Sequence, residues 1–369
     1  MKKILVISAS ILLVVGAAAA VYFWWQSSTQ PTTDHQQPAP EPGAIPLPPK
    51  NSDVDARLKA TGGPALAGYY LKNGAAIGLG ANGQVLSIKD GSASTLNAAT
   101  FNEIILEAKP SPDGRWILEK WGSGQNPRFS VYDTQNNAWT PLTIVAFESM
   151  DWSPAESRLA YLERVNGKVN LGIMDLAKKS NGGFARATVT SLNIQDVELA
   201  WVATNEILLS EKPSARVPGS VWKFKLNTHR LEPLILEQSG LWVEWDKGSG
   251  YGVRFDRDRS QNRFSLVGDD GTTFATPPFV TMPDKCAISN AALYCAVPQT
   301  PLTGKELPDD YLKRAFYTND AFFRVDIESG EIMMLFAGAA VIDAINLQVD
   351  GNKLYFINRY DRKLYSLEL

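Results

Sequence analysis

The stretch that decides the fold is Ser111-Pro112-Asp113-Gly114-Arg115-Trp116-Ile117-Leu118. Ser, Pro, Asp and Gly are turn formers, and the apolar residues that follow are typical of a β-strand. A second strand, Phe129–Asp133, comes soon after, followed by a polar turn and the segment Trp139–Leu142. This stretch therefore predicts consecutive antiparallel strands joined by tight turns.

The same order of turns and strands recurs along the chain at a spacing of about 42 to 49 residues, with one wider gap. Later copies begin near Trp152, Trp201, Trp245, Cys286 and Val349, and a weaker first copy covers Ala67–Leu96. Four-stranded propeller blades repeat at this period, and one blade buries its faces only when it stacks on others. We therefore expect an all-β fold, a β-propeller of about seven blades. Six blades and a two-sheet sandwich array are the alternatives.

The motif at 111–118 resembles the WD40-like (PD40) repeat of TolB-type propellers. Residues 153–161 follow the pattern less closely, since Ala155 stands where Asp is expected. TolB-like proteins are periplasmic interaction proteins, so the resemblance implies a binding module and carries over no partner-binding residue. The chain ends at Leu369, in what the pattern assigns as the third strand of the last blade. Closing the ring would then require a strand from residues near 53–66.

The N-terminus indicates export. Residues 1–3 carry Lys2 and Lys3, and residues 4–25 form an uncharged apolar run that ends in Tyr22-Phe23-Trp24-Trp25. Such a run would span about 33 Å as a helix, enough to cross a bilayer core of about 30 Å. Under the positive-inside rule, residues 1–3 would stay in the cytoplasm and the rest would lie outside it. The alternative is a cleaved signal peptide, with small residues at 16–20.

Residues 26–52 are rich in Pro, Gln, Thr and Ser and are expected to be an extended linker. The propeller would then occupy residues 53–369. This organisation predicts a single-pass membrane protein whose C-terminal domain lies in the bacterial cell envelope, outside the cytoplasm.

Cys286 and Cys295 flank a short hairpin whose turn is centred on Asn290-Ala291. Facing residues of an antiparallel pair have Cβ atoms about 4.5–5.5 Å apart, which is close to disulfide reach. An exported protein meets conditions that permit the bond. We therefore predict a structural disulfide, with two buried free thiols as the alternative.

No catalytic motif is found in the sequence, and two His and two Cys are too few for a typical zinc site. We therefore expect no enzyme activity, no cofactor and no metal. The net charge of −3 argues against a nucleic-acid binder. Asp133, Asp175 and Asp326 end strands at similar positions, so turn capping explains them better than catalysis.

Connections between second and third strands are expected to be long, variable loops that share one face of the ring. Six of them, Lys120–Arg128, Leu162–Lys168, Glu211–Gly219, Arg254–Arg263, Pro298–Asp320 and Asn358–Lys363, carry a net charge of +7. Arginines and aromatic residues are common in binding hot spots. The predicted binding residues on this face are Trp121, Arg128, Arg254, Arg257, Arg259, Tyr311, Arg314, Tyr317, Arg359 and Tyr360.

This basic face predicts a protein partner in the envelope, with an acidic surface. The alternative is a carbohydrate-binding or carbohydrate-active protein that uses the central channel of the propeller. A convergent pair of carboxylates in the channel would favour that alternative, whereas an apolar or plugged channel would favour the scaffold.

Overall fold

A computed structural model describes residues 56–369, except 73, 81, 90, 98–104, 124–125, 143–146, 181–182, 195, 260 and 339. The predicted anchor at 4–25 and linker at 26–52 lie outside the described residues. Within the described part of the chain, no helix is both long enough and apolar enough to cross a membrane.

The described strands form seven separate antiparallel sheets of four strands each, which confirms the seven-bladed propeller. Blades 1 to 4 consist of β2 (Leu66–Lys72), β3 (Ala75–Gly80), β4 (Val85–Lys89) and β5 (Ser92–Asn97); β6 (Ile105–Pro110), β7 (Trp116–Ser123), β8 (Asn126–Asp133) and β9 (Ala138–Leu142); β10 (Phe147–Trp152), β11 (Arg158–Val165), β12 (Lys168–Ser180) and β13 (Gly183–Leu192); and β14 (Val197–Ala203), β15 (Glu206–Glu211), β16 (Gly219–Lys225) and β17 (Arg230–Gln238).

Blades 5 to 7 follow the same plan. They consist of β18 (Trp242–Trp245), β19 (Tyr251–Asp258), β20 (Gln261–Gly268) and β21 (Thr273–Ala275); β22 (Cys286–Ser289), β23 (Ala292–Pro298), β24 (Asp320–Asp326) and β25 (Ile332–Phe336); and β26 (Ala344–Asp350), β27 (Lys353–Asn358), β28 (Leu364–Glu368) and β1 (Leu58–Ala60).

The ring closes as expected, because β1 supplies the outer strand of blade 7. It pairs antiparallel with β28, with Leu58 opposite Leu367 and Ala60 opposite Tyr365. The Thr61 N–H extends the pairing by donating to the Leu364 carbonyl at 3.0 Å. A strand from the start of the domain thus completes the blade that holds its end.

The motif at 111–118 has a clear physical role in blade 2. Asp113 accepts hydrogen bonds from the Ser111 hydroxyl at 2.5 Å and from the Arg115 N–H at 3.0 Å. Gly114 has a φ of 63°, in the left-handed region where a side chain is strained. The Ser111 hydroxyl also accepts from the Trp116 N–H at 2.9 Å, which starts the next strand directly after the turn.

The hydrophobic core lies between neighbouring blades. Trp116, Leu118, Trp152 and Tyr161, from blades 2 and 3, belong to one buried cluster, and similar clusters join the other blades. The Trp152 indole ties two blades together, since its N–H donates to the Lys109 carbonyl of blade 2 at 2.8 Å.

The strands of each blade are called A to D from the channel outward. A–B and C–D turns lie on one side, the AB face. B–C turns and the connections from strand D to the next strand A lie on the other side, the BC face. Because β1 runs toward the BC face at Thr61, the chain enters the ring at Arg57 on the AB face.

Two local predictions are confirmed. Cys286 and Cys295 form a disulfide in a register where they face each other, with Cα atoms 4.2 Å apart. The carboxylates of Asp133, Asp175 and Asp326 cap turns, and each accepts a backbone N–H at 2.9–3.0 Å.

The prediction of long loops on the BC face is wrong for three of the six segments. In blades 2, 3 and 5, strands B and C continue as paired hairpins through most of 120–128, 162–168 and 254–263. The N–H and C=O groups of the two strands pair along these hairpins. The strands are therefore longer than the alternation of apolar and polar residues in the sequence indicates. Real loops occur at 212–218 in blade 4 and at 299–319 in blade 6.

Candidate functional site

Large apolar side chains that are exposed and do not belong to an outer strand lie mostly on the BC face. Among the described residues, those at or near its turns, connections and channel mouth are Leu106, Val165, Val217, Leu312, Tyr317, Val341 and Tyr360, each 40–65% exposed. On the AB face, the described turns and chain end expose only Leu369 in this way.

Exposed cations also lie on the BC face. They are Arg128, Lys168, Lys212, Arg216, Arg259, Lys305, Lys313, Arg314 and Lys363, whereas the exposed carboxylates of its described turns, connections and adjoining strand ends are Asp196, Glu198, Glu237 and Asp258. The AB face carries exposed charges of both signs, for example Asp113, Glu156, Lys178 and Asp350. The two faces therefore differ in both apolar exposure and charge.

The 299–319 insertion of blade 6 is held firmly against the ring. It contains the short helix α1 (Asp309–Leu312), whose Tyr311 is 3% exposed. The Tyr311 ring packs against Trp242 with centroids 5.9 Å apart, and its hydroxyl donates to Asp284 at 2.9 Å. Arg216 makes a bidentate ion pair with Glu306, so the insertion also contacts blade 4.

A buried ion network lies under the insertion, where blades 6 and 7 meet. The Lys285 ammonium donates to Asp320 and to Asp343 at 2.6 Å each, and none of the three is exposed. Desolvation opposes the charge on Lys285, but the two carboxylates outweigh it and raise its pKa. Arg359, only 7% exposed, donates to Asp343 at 3.0 Å. Two cations are thus matched by two carboxylates.

An aromatic pair covers this network on the BC face. Tyr317 and Tyr360 stack with ring centroids 4.9 Å apart, and they are 48% and 47% exposed. The Arg359 guanidinium lies 5.2 Å from the Tyr317 ring and 4.5 Å from the Tyr311 ring. The buried cations therefore support exposed aromatic rings at this point of the face.

The structure brings together only part of the predicted binding set. Tyr311, Tyr317, Arg359 and Tyr360 form one cluster, but Tyr311 and Arg359 are buried and serve as its support. Arg314 is exposed beside the channel.

The remaining predicted residues lie on other blades. In blade 2, Arg128 stacks on Trp121 at 4.0 Å. In blade 5, Arg254 is held by Asp256 at 2.8 Å, Arg257 is half-buried and Arg259 is exposed.

Sequence reasoning did not find the residues of the central channel. A cavity of about 530 Å³ is lined by first strands from around the ring, including Glu107, Lys109, Glu198, Trp242 and Glu244. A second cavity of about 440 Å³ shares Glu244 and extends toward the AB side between blades 5 and 6. The channel is therefore open and polar.

Two carboxylates of the channel differ strongly in acidity. Lys109, at 3.0 Å, lowers the pKa of Glu107. Glu244 reaches channel water, but protein surrounds it, and this desolvation together with Asp284 raises its pKa to about 8. Such a divergence between two acids is one signal of an acid–base site. Among the described residues, no group of three or more His, Cys, Asp or Glu side chains is placed to hold a metal.

No family model matches the chain, and no curated protein matches its sequence. Solved structures do match. Tricorn protease has a TM-score of 0.54 at 8% identity over 88% of this chain, which spans about a third of that protein, 34%. The Cps50 (Swd1) β-propeller domain of Myceliophteria thermophila has a TM-score of 0.53 at 10% identity, over 85% of this chain and 99% of that one.

TolB from Acinetobacter baumannii also matches, with a TM-score of 0.40 at 12% identity, over 82% of this chain and 63% of TolB. These identities establish the β-propeller fold and no closer relationship. The TM-score for TolB is too low to single out its family, so the resemblance to it rests on the repeat at 111–118. The match to a third of tricorn protease neither supports nor excludes catalysis.

Proposed function

We propose that the protein is a membrane-tethered binding module of the cell envelope whose BC face docks a protein partner. The observation that carries this proposal is the concentration of exposed large apolar side chains on that face, together with exposed cations. Apolar surface that a monomer leaves in water is a common mark of an interaction site. Stacked Tyr317 and Tyr360 would lose little conformational freedom on binding, because each ring already restrains the other.

The route of the chain supports the same arrangement. Residues before Leu58 lead into the ring at the AB face, because the Glu368 N–H donates to the Arg57 carbonyl at 3.1 Å on that side. The described part of the chain thus begins on the AB face, opposite the face proposed for the partner.

The test is site-specific photocrosslinking of the full chain in native membranes. Benzoylphenylalanine at Tyr360 should give a discrete crosslinked protein. The matched control is the same group at Phe274, which is 53% exposed on the outer strand of blade 5. Equal yields at the two positions, or no crosslink at Tyr360, would refute docking at this face.

The channel gives specific support to the second candidate, a carbohydrate-binding function. It is open and polar, and the pKa values of Glu107 and Glu244 are shifted in opposite directions. Calorimetric titration with soluble envelope oligosaccharides tests this candidate. Heat of binding that disappears in Glu244→Gln and persists in Glu156→Gln, on the AB face, would favour it over protein docking.

A further inference from the structure

A small apolar patch lies on the BC face where blades 6 and 7 meet. It consists of Tyr317, Tyr360 and Val341, which are 48%, 47% and 59% exposed, and is called the aromatic patch. The two tyrosine rings stack with centroids 4.9 Å apart and an angle of 24° between their planes. The Asn358 side chain places Val341 beside them, because its amide nitrogen donates to the Val341 carbonyl at 3.3 Å and its oxygen accepts from the Tyr360 N–H at 3.4 Å. The three exposed side chains therefore form one local surface.

The backbone of the aromatic patch has few hydrogen bonds left to offer. The Thr318 carbonyl accepts from the Tyr360 hydroxyl at 3.2 Å, and the Thr318 N–H donates to Asp343 at 3.1 Å. The Val341 carbonyl and the Tyr360 N–H are both taken by Asn358. A partner segment therefore cannot bind here as an added strand, since that mode depends on pairing between the two backbones. It must bind through side-chain surface.

One polar group of the aromatic patch remains free to bind a partner. Among the described residues nothing hydrogen-bonds to the Tyr317 hydroxyl, so it can donate to a carbonyl of the partner. Beside the patch, Arg314 and Lys363 are exposed, and within the described part of the chain neither forms an ion pair. The carboxylate of the same turn, Asp361, is half-buried and accepts from the Tyr365 hydroxyl at 2.8 Å. Exposed cations therefore outnumber carboxylates beside the patch.

We propose that the aromatic patch binds a proline-rich segment of the partner in the polyproline II conformation, with an acidic residue of that segment facing Arg314 and Lys363. The proposal rests on the proposed function, since it names the chemistry of the protein that docks on the BC face. Proline has no N–H, so a proline-rich segment leaves few donors unpaired on a surface whose backbone acceptors are taken. Its rings pack on aromatic side chains, and its solvated carbonyls can accept from the Tyr317 hydroxyl.

Both sides of such a contact are ordered before binding. The polyproline II helix is a preformed conformation and the two tyrosine rings restrain each other, so association costs little conformational entropy. A membrane surface fits less well. Burying the Tyr317 ring among acyl chains would carry the Arg359 guanidinium, which lies 5.2 Å from that ring, toward hydrocarbon.

Fluorescence anisotropy with three labelled, end-blocked peptides tests the proposal on the full chain in detergent. The proline probe is Gly-Asp-Pro-Pro-Ala-Pro-Pro-Gly. The alanine probe, Gly-Asp-Ala-Ala-Ala-Ala-Ala-Gly, keeps the charge and removes the prolines, and the basic probe, Gly-Lys-Pro-Pro-Ala-Pro-Pro-Gly, reverses the charge. The proline probe should bind about tenfold more tightly than the alanine probe, which corresponds to about 1.4 kcal/mol, and about threefold more tightly than the basic probe.

Substitutions should locate the contact on the aromatic patch. Tyr317→Phe keeps the ring and removes the free hydroxyl, so it should weaken the proline probe about fivefold. Tyr360→Ser removes half of the stack and should weaken it about tenfold. Phe274→Ser removes a similarly exposed aromatic ring from the outer strand of blade 5 and should change the affinity less than about twofold. Equal effects of Tyr360→Ser and Phe274→Ser, in variants with unchanged circular dichroism, would overturn the proposal.

Lipid vesicles and the Tyr360 crosslink distinguish proline recognition from a membrane contact and from other protein docking. Phosphatidylglycerol vesicles that bind in a Tyr360-dependent way, with no preference for the proline probe, would overturn the proposal in favour of a membrane. If the crosslink forms at Tyr360 while the proline and alanine probes bind equally, proline recognition fails and protein docking at the BC face survives. Absence of the crosslink together with equal binding of the two probes would overturn both.

Discussion

Glu119 makes the stability of the propeller depend on pH in a direction that is unusual for a carboxylate. It lies in strand B of blade 2 and is 1% exposed. One oxygen accepts a hydrogen bond from the Ser130 hydroxyl at 3.3 Å, and the other has no partner among the described residues. Burial raises the pKa of Glu119 from 4.5 to about 9. The folded protein therefore holds it as a neutral acid at pH 7.

The sign of the effect follows from proton linkage. Between pH 4.5 and about 9 the folded state holds a proton that the unfolded state has released, so stability falls as pH rises through this window. At about 1.4 kcal/mol for each pH unit, the loss reaches about 3 kcal/mol at pH 7. Glu119→Gln keeps the shape of the neutral acid and removes the linkage. An unpartnered amide atom would cost about 1 kcal/mol, so the net gain at pH 7 is about 2 kcal/mol.

Urea unfolding of both proteins at pH 5, 7 and 8.5 measures the difference. The variant should match the parent at pH 5, exceed it by about 2 kcal/mol at pH 7 and by more at pH 8.5. Glu107→Gln is the control, since the pKa of Glu107 is lowered and its removal should not stabilise the protein as pH rises. A difference between Glu119→Gln and the parent that does not change with pH would refute the reasoning.

Three other perturbations test parts of the fold. Lys285→Met should lower the free energy of unfolding by about 3–5 kcal/mol in urea titrations, because it leaves the buried Asp320 without a cation and Asp343 with Arg359 alone; a loss below about 1 kcal/mol would contradict this. Replacing Cys286 and Cys295 by Ala should cost about 2–3 kcal/mol by loop entropy, and a parent mass unchanged by reduction would argue against the bond. Deleting residues 1–60 removes β1 and should lower the thermal midpoint, with hydrogen exchange rising first in β28; an unchanged midpoint would show that closure by β1 is not needed.

The fold was predictable because its signals are local and repeated. The turn at 111–115 is built from side chains within five residues of each other, and the disulfide joins two cysteines nine positions apart. The need for a closing strand followed from the position of Leu369 in the repeat. β1 now fills that place with Leu58–Ala60.

The site was less predictable because its contacts are long-range. Lys285 meets Asp320 and Asp343, which lie 35 and 58 residues further along the chain. Nothing near Lys285 in the sequence distinguishes it from an exposed lysine. The charge of Arg359 predicts a binding residue, but its partner Asp343 lies in a connection that no motif marks. Such charges are buried because two blades meet around them. The local pattern of apolar residues in the sequence does not show where that contact forms.

The internal repeat nevertheless distinguishes positions that stabilise the fold from positions that can form a site, because the same structural position can be compared between blades. Trp152, Trp201 and Trp245 occupy one structural position, since each pairs with the second residue of its strand B. Alternation along a strand turns the preceding residue to the channel, where blade 3 has Asp151, blade 4 has Ala200 and blade 5 has Glu244. In blades 3 to 5 the shared Trp thus packs neighbouring blades together, and the adjacent position is free to differ. The opposite charges inside the channel arise at those free positions, which is where a ligand-specific site can be built without disturbing the ring.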